Sequence, residues 1–200
     1  MRIVSFYKPL PISDPNSFMD VTAEQPRPGT RDLLVEVQAI SVNPVDAKIR
    51  SGGGPGRPEG QLQILGWDAA GVVKETGSKV TLFGAGEEVY YAGSVDRAGS
   101  YGQFQCVDER IVGRKPKTIG FAEAAALPLA TITAWEILLD RFGITKTAKG
   151  SLLILGAAGG VGSIAIQLVR QLTNLTTIAT ASGPKPKLGA AEWAPIMQPI

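Results

Sequence analysis

The stretch that most constrains the fold of this 200-residue chain is a glycine turn between an aliphatic run and a helical pattern. Residues 152–162 read LLILGAAGGVG, and SIAIQLVRQL follows. A strand that enters such a turn and continues as a helix leaves main-chain N–H groups free at the helix N-terminus, where they can bind phosphate. A second strand pattern, TTIATAS, comes next. The segment therefore predicts one right-handed, parallel βαβ unit.

The glycines of this turn are the predicted contacts to a dinucleotide. Missing Cβ atoms let a pyrophosphate come close, and one glycine lets the helix pack tightly on the strand. The spacing is not the strict G-x-G-x-x-G, but the flanking strands and helix supply the context that the motif requires. The alternative is that the glycines only close a tight strand-to-helix turn. The predicted cofactor-binding residues here are Gly156, Gly159, Gly160, Val161 and Gly162.

The end of the second strand indicates which dinucleotide binds. An NAD site usually carries Asp or Glu there to bind the ribose 2′-hydroxyl, whereas this chain has no acidic residue from Thr176 to Lys187. Ser182, Lys185 and Lys187 could instead donate to a 2′-phosphate, which favours NADPH over NADH. The alternative is that both lysines are solvated loop charges, which is the common case for lysine.

The first 115 residues have a different sequence pattern, in which short β-like runs are separated by turn signals. Several such runs at this spacing are typical of an antiparallel barrel or sandwich. The runs are RIVSFY, DLLVEVQAI, GVVKET, EEVYYAG and FQCVDERIV.

Near residue 120 the pattern becomes helical, with alanine and leucine at helical spacing. Pro128 is expected to break this segment into two helices, and Gly143 to stop the second one just after Phe142. We therefore expect two domains, over residues 1–120 and 121–200.

Composition argues against several classes of function. With 20 basic and 18 acidic residues, the charge gives no reason to expect nucleic acid or an anionic membrane as a partner. We see no apolar run of the roughly 18 residues that a bilayer span needs and no secretory signal. The chain has no histidine and a single cysteine, Cys106. His-based acid–base catalysis, a Cys-rich zinc site and an internal disulfide are thereby excluded, and a reducing cytoplasm is favoured.

Four motifs, in this order and spacing, resemble the medium-chain dehydrogenase/reductase superfamily and its zinc-independent quinone oxidoreductase branch, which includes many zinc-type alcohol dehydrogenase-like proteins. They are PGTRDLLVEVQAISVNPVDAKIR, ILGWDAAGVV, FAEAAALPLATITAW and LLILGAAGGVGSIAIQL. The resemblance runs from residue 1 to about 182. It implies a GroES-like β-barrel over residues 1–120 and the start of a Rossmann, doubly wound parallel α/β sheet that binds NADP over residues 121–200. Family members are longer, so we expect this chain to be C-terminally truncated.

The same resemblance suggests that no metal is bound. Zinc-dependent relatives place a Cys where this chain has Asn43, and Gly-His-Glu where it has residues 66–68, Gly-Trp-Asp. Trp67 cannot bind zinc, and Asn43 is a poor ligand. We therefore predict no metal site.

Asn43 and Thr131 are the catalytic and cofactor-binding residues that the resemblance implies, Asn43 near nicotinamide and substrate and Thr131 on the nicotinamide side of the cofactor. The Asn43 amide can donate to a carbonyl oxygen. The alternatives are that Asn43 forms an Asn-Pro turn and that Thr131 bonds a helix carbonyl.

Other side chains with suitable chemistry have simpler interpretations. Tyr90 and Tyr91 could donate a proton, but strand tyrosines more often pack. Trp67 is expected in the core or a pocket wall, Cys106 as a packed thiol, and Asp46 in a structural role.

The predicted function is an NADPH-dependent oxidoreductase that transfers hydride to quinones or conjugated enones without zinc. Conjugation spreads the negative charge of such acceptors, so a few hydrogen bonds would be enough assistance. The resemblance also implies a homodimer. Two alternatives remain: a zinc-dependent alcohol dehydrogenase-type enzyme, and a truncated, non-catalytic GroES-like module.

Overall fold

The structure, a computed structural model, describes residues 1–53 and 60–181. The chain divides into two compact units, Met1–Leu129 and Ala130–Ile200. The boundary predicted near residue 120 stays a prediction. The described strands are β1 (Arg2–Phe6), β2 (Met19–Thr22), β3 (Asp32–Ser41), β4 (Gln63–Ile64), β5 (Asp68–Thr76), β6 (Glu88–Ala92), β7 (Phe104–Asp108), β8 (Val112–Arg114), β9 (Ser151–Ile154) and β10 (Thr176–Ala179). The α-helices are α1 (Pro44–Lys48), α2 (Phe121–Ala125), α3 (Pro128–Trp135) and α4 (Gly160–Leu172).

The first unit is built from antiparallel strands, as the sequence predicts. Five strands pair in the order β7-β3-β5-β6-β8 and three in the order β2-β1-β4. Residues 101–103 join the two sheets, because the Val4 N–H donates to the Tyr101 carbonyl at 2.8 Å and the Val37 N–H to the Gln103 carbonyl at 2.9 Å.

One buried apolar cluster of this unit lies on one face of the five-stranded sheet. Alternate residues of neighbouring strands point to the same side, so their side chains meet there. The buried members are Leu33, Val35, Ala69, Val73, Val89, Tyr91 and Val107. Tyr91 donates its hydroxyl to Gln105 at 2.9 Å and is fully buried, and burial raises its pKa. Tyr91 is therefore a packing residue.

The run FQCVDERIV, expected as one strand, is two strands separated by a 3₁₀ turn at Glu109–Ile111. The Asp108 carboxylate accepts from the Arg110 N–H at 2.9 Å and so caps the turn. The buried Glu109 carboxylate accepts from the N–H groups of Thr81 and Leu82, both at 2.8 Å. Glu109 lies in the turn and not in a strand, and its carboxylate binds the loop that contains Thr81 and Leu82.

The helical region is interrupted at Pro128 and stops at Gly143, as the sequence predicts. α2 ends at Ala125 and α3 begins at Pro128. A π-helical turn, Glu136–Arg141, extends α3, and Gly143 follows with φ +61°. A left-handed φ is costly for residues with a Cβ, which explains the glycine at this stop.

In the described residues, the stretch Phe121–Arg141 is long and apolar enough to cross a membrane, judged by length and composition alone. The core helices of proteins that do not cross membranes pass the same test. Here Ala124 and Ala125 pack with Ala70 of β5, and Ala134 and Leu138 pack with α4. The expectation that no segment spans a bilayer stays a prediction.

The second unit contains the predicted βαβ segment. β9 and β10 pair in parallel, with Ser151 opposite Thr176 and Ile154 opposite Ala179, and α4 connects them. One face of α4 is buried through Ala165, Ile166 and Val169. The parallel pairing is confirmed, and the right-handed crossover stays a prediction.

Candidate functional site

The glycine turn between β9 and α4 contains two glycines that the backbone itself requires. Gly156 has φ +63°, in the left-handed region. A Cβ on Gly162 would lie 2.6 Å from the Ala157 Cα and 2.9 Å from the Ala157 carbonyl oxygen. At both positions another residue would bring strain or a main-chain clash. For Gly156 and Gly162, closing the turn is therefore a sufficient reason to be glycine.

Gly159 and Gly160 have no such internal reason. A Cβ on Gly159 would come no closer than 3.5 Å to another described atom, and one on Gly160 would be 4.0 Å from the Ala130 Cβ. Gly159 has an ordinary φ of −77°. A Cβ at either position would therefore fit without a clash. The absence of side chains leaves the main chain open to a ligand that approaches it.

The start of α4 offers N–H donors to that space. The Ser163 N–H bonds the Gly159 carbonyl at 2.9 Å. The N–H groups of Gly160, Val161 and Gly162 precede this bond and have no acceptor one turn back in their own helix. The first turn of α4 carries no acidic side chain. The 13-residue helix thus presents donors and its positive end to an anion without local repulsion.

Thr180, just after β10, holds the turn in place and was not singled out from the sequence. Its hydroxyl accepts from the Gly156 N–H at 3.3 Å, and its carbonyl accepts from the Ala157 N–H at 2.8 Å. Its own N–H donates to the Ile154 carbonyl at 3.0 Å. No local pattern marks this threonine, because its partners lie some two dozen residues earlier.

The predicted 2′-phosphate ligands Ser182 and Lys185, with Lys187, lie outside the described residues, so their assignment stays a prediction. Thr131 is half-buried on α3. Its neighbour Ala130 lies beside the position of the absent Gly160 Cβ. The structure therefore places Thr131 and the glycine turn in one unit, and Asn43 in the other.

Asn43 is the residue that begins α1, with Pro44 as the first helical residue. Its N–H donates to the Asp46 carboxylate at 2.6 Å, and the Asp46 N–H donates to the Asn43 carbonyl at 2.9 Å. Its side-chain Nδ2 donates to Asp68 Oδ2 at 2.9 Å and to the Ser41 carbonyl at 3.4 Å. Asn43 therefore does start an Asn-Pro turn, and its side chain is also held by two acceptors.

Asp68, the first residue of β5, is a fully buried carboxylate. Its Oδ1 accepts from the Leu129 N–H at 2.8 Å. Burial raises its pKa to about 6, opposed by the hydrogen bonds from Asn43 and Leu129 and assisted by the charge of Asp46. Burial also raises the pKa of Asp46, which is 3% exposed. The sequence signal for this cluster is an acidic residue inside the apolar run GWDAAGVV.

Trp67 and Cys106 are not reactive groups. Trp67 is 1% exposed and packs with Phe6 and Leu65. Cys106 is a free, half-buried thiol on β7, and burial raises its pKa to about 11. A thiol with a raised pKa is a poor nucleophile at neutral pH.

The donor set does not fit a zinc ion. Among residues 1–53 and 60–181, no three His, Cys, Asp or Glu side chains are grouped to hold a metal. The oxygens of Asp68 already accept from Asn43 and Leu129. Two carboxylates and an amide differ from the Cys and His ligands that zinc prefers. We derive no step through zinc.

An antiparallel β-domain followed by a parallel βαβ unit with a phosphate-type glycine turn is the architecture of dinucleotide-dependent dehydrogenases and reductases. Residues 29–136 match the alcohol dehydrogenase GroES-like domain, and the chain belongs to the medium-chain dehydrogenase/reductase superfamily.

Curated relatives cover nearly all of this chain. A zinc-type alcohol dehydrogenase-like protein of Staphylococcus aureus (strain COL) is 44% identical over 186 residues, which are 91% of this chain and 54% of that protein. An NADPH-dependent alkenal/one oxidoreductase of Arabidopsis thaliana is 40% identical over 167 residues, 78% of this chain and 42% of that protein. The chain thus spans about half the length of these relatives.

Solved structures have the same fold. A candidate zinc-dependent alcohol dehydrogenase protein from Rhizobium etli CFN 42 is 48% identical with a TM-score of 0.88, covering 100% of this chain and 58% of that one. The Escherichia coli quinone oxidoreductase, crystallised with NADPH, is 28% identical with a TM-score of 0.79, covering 97% of this chain and 56% of that one.

Proposed function

We propose that this protein is an NADPH-dependent oxidoreductase that reduces quinones or conjugated enones without zinc. The observation that carries the proposal is the pair Gly159 and Gly160, which the packing of the turn does not require to be glycine. Bare main chain at a helix N-terminus suits the diphosphate of a dinucleotide. An NADPH-dependent alkenal/one oxidoreductase and an NADPH-bound quinone oxidoreductase among the similar proteins support the same conclusion.

The turn would bind the cofactor through its backbone. The N–H groups of Gly160, Val161 and Gly162 would donate to the diphosphate oxygens, while Thr180 keeps the turn in shape. When bound, NADPH supplies the hydride that reduces the acceptor. Thr131, on the helix beside the turn, and Asn43 are the residues that we propose for the nicotinamide end.

The choice of acceptor follows from the donor set. In zinc-dependent alcohol dehydrogenases the metal stabilises the oxyanion of a simple alcohol or ketone, and the described residues contain no group of three zinc ligands. Quinones and conjugated enones spread that charge over several atoms, so hydrogen bonds are enough assistance. Metal analysis of the purified protein should find well below one zinc per chain, and stoichiometric zinc that a chelator removes would contradict the proposal.

The binding step is tested by titrating the protein with NADPH and following its melting temperature. A ligand at a hundred times its Kd stabilises the folded state by about 2.7 kcal/mol, so the shift should be clear at millimolar NADPH. Thr173→Ser, at the first residue after α4 and thus at the opposite end of that helix from the turn, is a control that should keep the shift. No shift in a folded protein would count against the cofactor site.

The catalytic step is tested by NADPH oxidation with a naphthoquinone or an enone. Turnover supports the oxidoreductase. Folded protein that binds NADPH but turns over neither acceptor would overturn the assigned substrate class. Folded protein that does neither would favour a non-catalytic GroES-like module.

The preference for NADPH over NADH is assigned to Ser182 and Lys185. Lys185→Glu should reverse the preference, because a carboxylate repels a 2′-phosphate and accepts from a 2′-hydroxyl. Lys149→Glu, an exposed lysine before β9, is the matched charge control. An unchanged ratio of NADPH to NADH affinity in Lys185→Glu would remove Lys185 from the site.

We further propose that the protein acts in the cytoplasm as a homodimer. The free thiol of Cys106 is compatible with a reducing compartment. Light scattering coupled to size exclusion tests the dimer, and a monomeric mass at micromolar protein would contradict it.

A further inference from the structure

We propose that Asp68 is a positioning residue that fixes the Asn43 side chain as a hydrogen-bond acceptor, so that the group bound at Asn43 is a donor. This inference rests on the proposed function, because it assigns a role to Asn43 within that site. It reverses the expectation from the sequence, in which the Asn43 amide donates to the carbonyl oxygen of the acceptor.

The donors of the Asn43 amide are already used. A side-chain amide has two N–H groups on its nitrogen and one oxygen with two lone pairs. Asn43 Nδ2 lies 2.9 Å from Asp68 Oδ2 and 3.4 Å from the Ser41 carbonyl oxygen. The first hydrogen bond is strong and the second is long, and both use the nitrogen. At the start of α1 the Asn43 side chain also accepts from the Asp46 N–H. One lone pair of the amide oxygen is therefore the acceptor that remains for a ligand.

The orientation of the amide follows from its partners. A carboxylate and a main-chain carbonyl are both acceptors, so an amide turned by 180° would place its oxygen against two oxygens. The buried position of Asp68 makes such an arrangement costly, since unpaired buried polar groups lose their hydration. The contacts to Asp68 and Ser41 therefore select the orientation with the nitrogen inward.

Asp68 can hold this orientation because it is itself fixed. Its Oδ1 accepts from the Leu129 N–H at 2.8 Å, which leaves Oδ2 for Asn43. The backbone of Asn43 is fixed from the other side by the 2.6 Å bond from its N–H to Asp46. Neither side chain can turn without breaking a bond to the main chain.

The chemistry of the bound group follows. An amide oxygen binds N–H or O–H groups and does not pair with the carbonyl oxygen of a quinone. In an NADPH complex, two groups have this chemistry: the carboxamide N–H of nicotinamide and a hydroxyl, from the ribose or from a hydroxylated acceptor. Both are donors, and both would be oriented by the same fixed oxygen.

The decisive experiment exchanges the two side chains, in the double variant Asn43→Asp/Asp68→Asn. The amide introduced at position 68 can donate to a carboxylate at position 43 while its oxygen still accepts from Leu129. The carboxylate at position 43 presents an acceptor, as Asn43 does, but has no donor. We expect the double variant to bind NADPH more tightly than Asn43→Ala, in which the loss of one hydrogen bond should cost roughly tenfold in affinity.

A loss in the double variant as large as that in Asn43→Ala would overturn the proposal, because it would mean that a donor at position 43 is needed. Glu36→Lys/Lys74→Glu exchanges an exposed ion pair on β3 and β5, with its atoms 3.2 Å apart. It controls for double substitution and should leave affinity and kcat/KM unchanged.

The source of the donor is distinguished with the 3-acetylpyridine analogue of NADPH, which lacks the carboxamide N–H groups. If nicotinamide is the donor, the unmodified protein should bind the analogue about tenfold more weakly than NADPH, and Asn43→Ala should bind the two equally. If a hydroxyl is the donor, the unmodified protein should bind both equally and Asn43→Ala should weaken both. An effect of Asn43→Ala on neither ligand would overturn the role of Asn43 as acceptor.

The positioning itself is tested without any ligand, so its failure is separate from failure of the proposed function. The Asn43 side-chain amide hydrogens should exchange with solvent at least tenfold more slowly in the unmodified protein than in Asp68→Ala. Equal rates would overturn the role of Asp68, whether or not NADPH binds. Slow exchange in a protein that does not bind NADPH would refute the cofactor and leave the positioning intact.

Discussion

The glycine turn and the Asn43–Asp68 pair are two candidate polar sites built from different groups, the first from main chain and the second from side chains. The turn uses main chain and the absence of side chains, and its donors are exposed at the start of α4. The pair uses side chains that are buried among apolar residues, and Asp68 has no solvent exposure. A site made of N–H groups carries no ionisable group of its own. A site built on a buried carboxylate must respond to pH.

The same contrast appears in how the two regions are assembled. The glycines of the turn lie within seven residues of chain, Gly156–Gly162, and its most distant partner is Thr180, 24 residues from Gly156. Asn43 and Asp68 are a similar 25 residues apart, but Asp68 also bonds Leu129, which is 61 residues away. Local sequence can therefore specify the glycines of the turn, whereas the folded sheet is needed to bring the second cluster together.

The largest expected effect distinguishes the two regions by pH. The Asp68 pKa of about 6 in the folded protein lies above the usual 3.8. Between these values the folded state binds more protons than the unfolded state, so stability falls as pH rises from about 4 to 6. The buried charge costs up to about 3 kcal/mol. Urea denaturation from pH 4 to 7 should show this loss in the unmodified protein relative to Asp68→Asn.

Asp32→Asn is the matched control for that comparison. Its hydrogen bonds with Arg97 hold the pKa of Asp32 below its usual value. The Asp32 contribution should therefore be lost as pH falls, which is the opposite slope. Parallel pH curves for the unmodified protein and Asp68→Asn would contradict the assigned state of Asp68.

The next largest effect is on stability, and it distinguishes glycines that packing requires from glycines that have free space around them. Gly162→Ala should lower the free energy of unfolding by about 2 kcal/mol, because the new Cβ meets the Ala157 main chain at 2.6 Å. Gly159→Ala meets nothing closer than 3.5 Å and should change stability by less than about 0.5 kcal/mol. Chemical denaturation measures both, and equal losses would mean that Gly159 is also required by packing.

NADPH affinity, in contrast to stability, should depend on the glycines that packing does not require. Gly160→Val adds a branched side chain over the turn, at a position where a Cβ would lie 4.0 Å from the Ala130 Cβ. We expect NADPH affinity to fall at least tenfold, about 1.4 kcal/mol, with little change in stability. Gly84→Val, at a glycine of the other unit where an added Cβ also meets nothing within 4 Å, is the binding control. Unchanged affinity in folded Gly160→Val would place the diphosphate elsewhere.

The smallest expected effect concerns the hydrogen bond from the Gly156 N–H to the Thr180 hydroxyl. Thr180→Val removes the hydroxyl that accepts from Gly156 and should cost about 0.5–1 kcal/mol of stability. Thr177→Val, three residues earlier, removes a buried hydroxyl that has no hydrogen-bond partner among the residues that the structure describes, and should be neutral or stabilising. Thermal denaturation of the two variants compares them directly. Equal destabilisation would show that the hydroxyl of Thr180 does not support the turn.

Much of the fold was predictable, because strong local patterns specify it. The βαβ pairing, the break at Pro128 and the antiparallel β-rich first half follow from periodicity and breakers. The elements that the sequence did not predict are the short ones. β4 has two residues and α1 has five, which is too few for a period to show.

The candidate site was predictable only where it is made of backbone. The turn at Gly156–Gly162 can be located from its glycines together with the strand and helix patterns that flank it. Asn43 was identified through resemblance, but its orientation depends on Asp68, which β5 brings to it. Thr180 carries no local signal for its role, and the acidic residue within GWDAAGVV marks Asp68 as unusual but does not identify its partners, because hydrogen bonds between distant residues leave no period in the sequence.

The main-chain hydrogen bonds of Thr180 also have a consequence for how the chain folds. The main-chain bonds Ala157 to Thr180 and Thr180 to Ile154 close a segment of fewer than 30 residues on itself. Closing a short loop costs little entropy, and contacts between near neighbours in sequence form quickly. We expect this segment to gain protection from hydrogen exchange earlier in refolding than β3 and β5, and to order on the ribosome soon after residue 181 emerges.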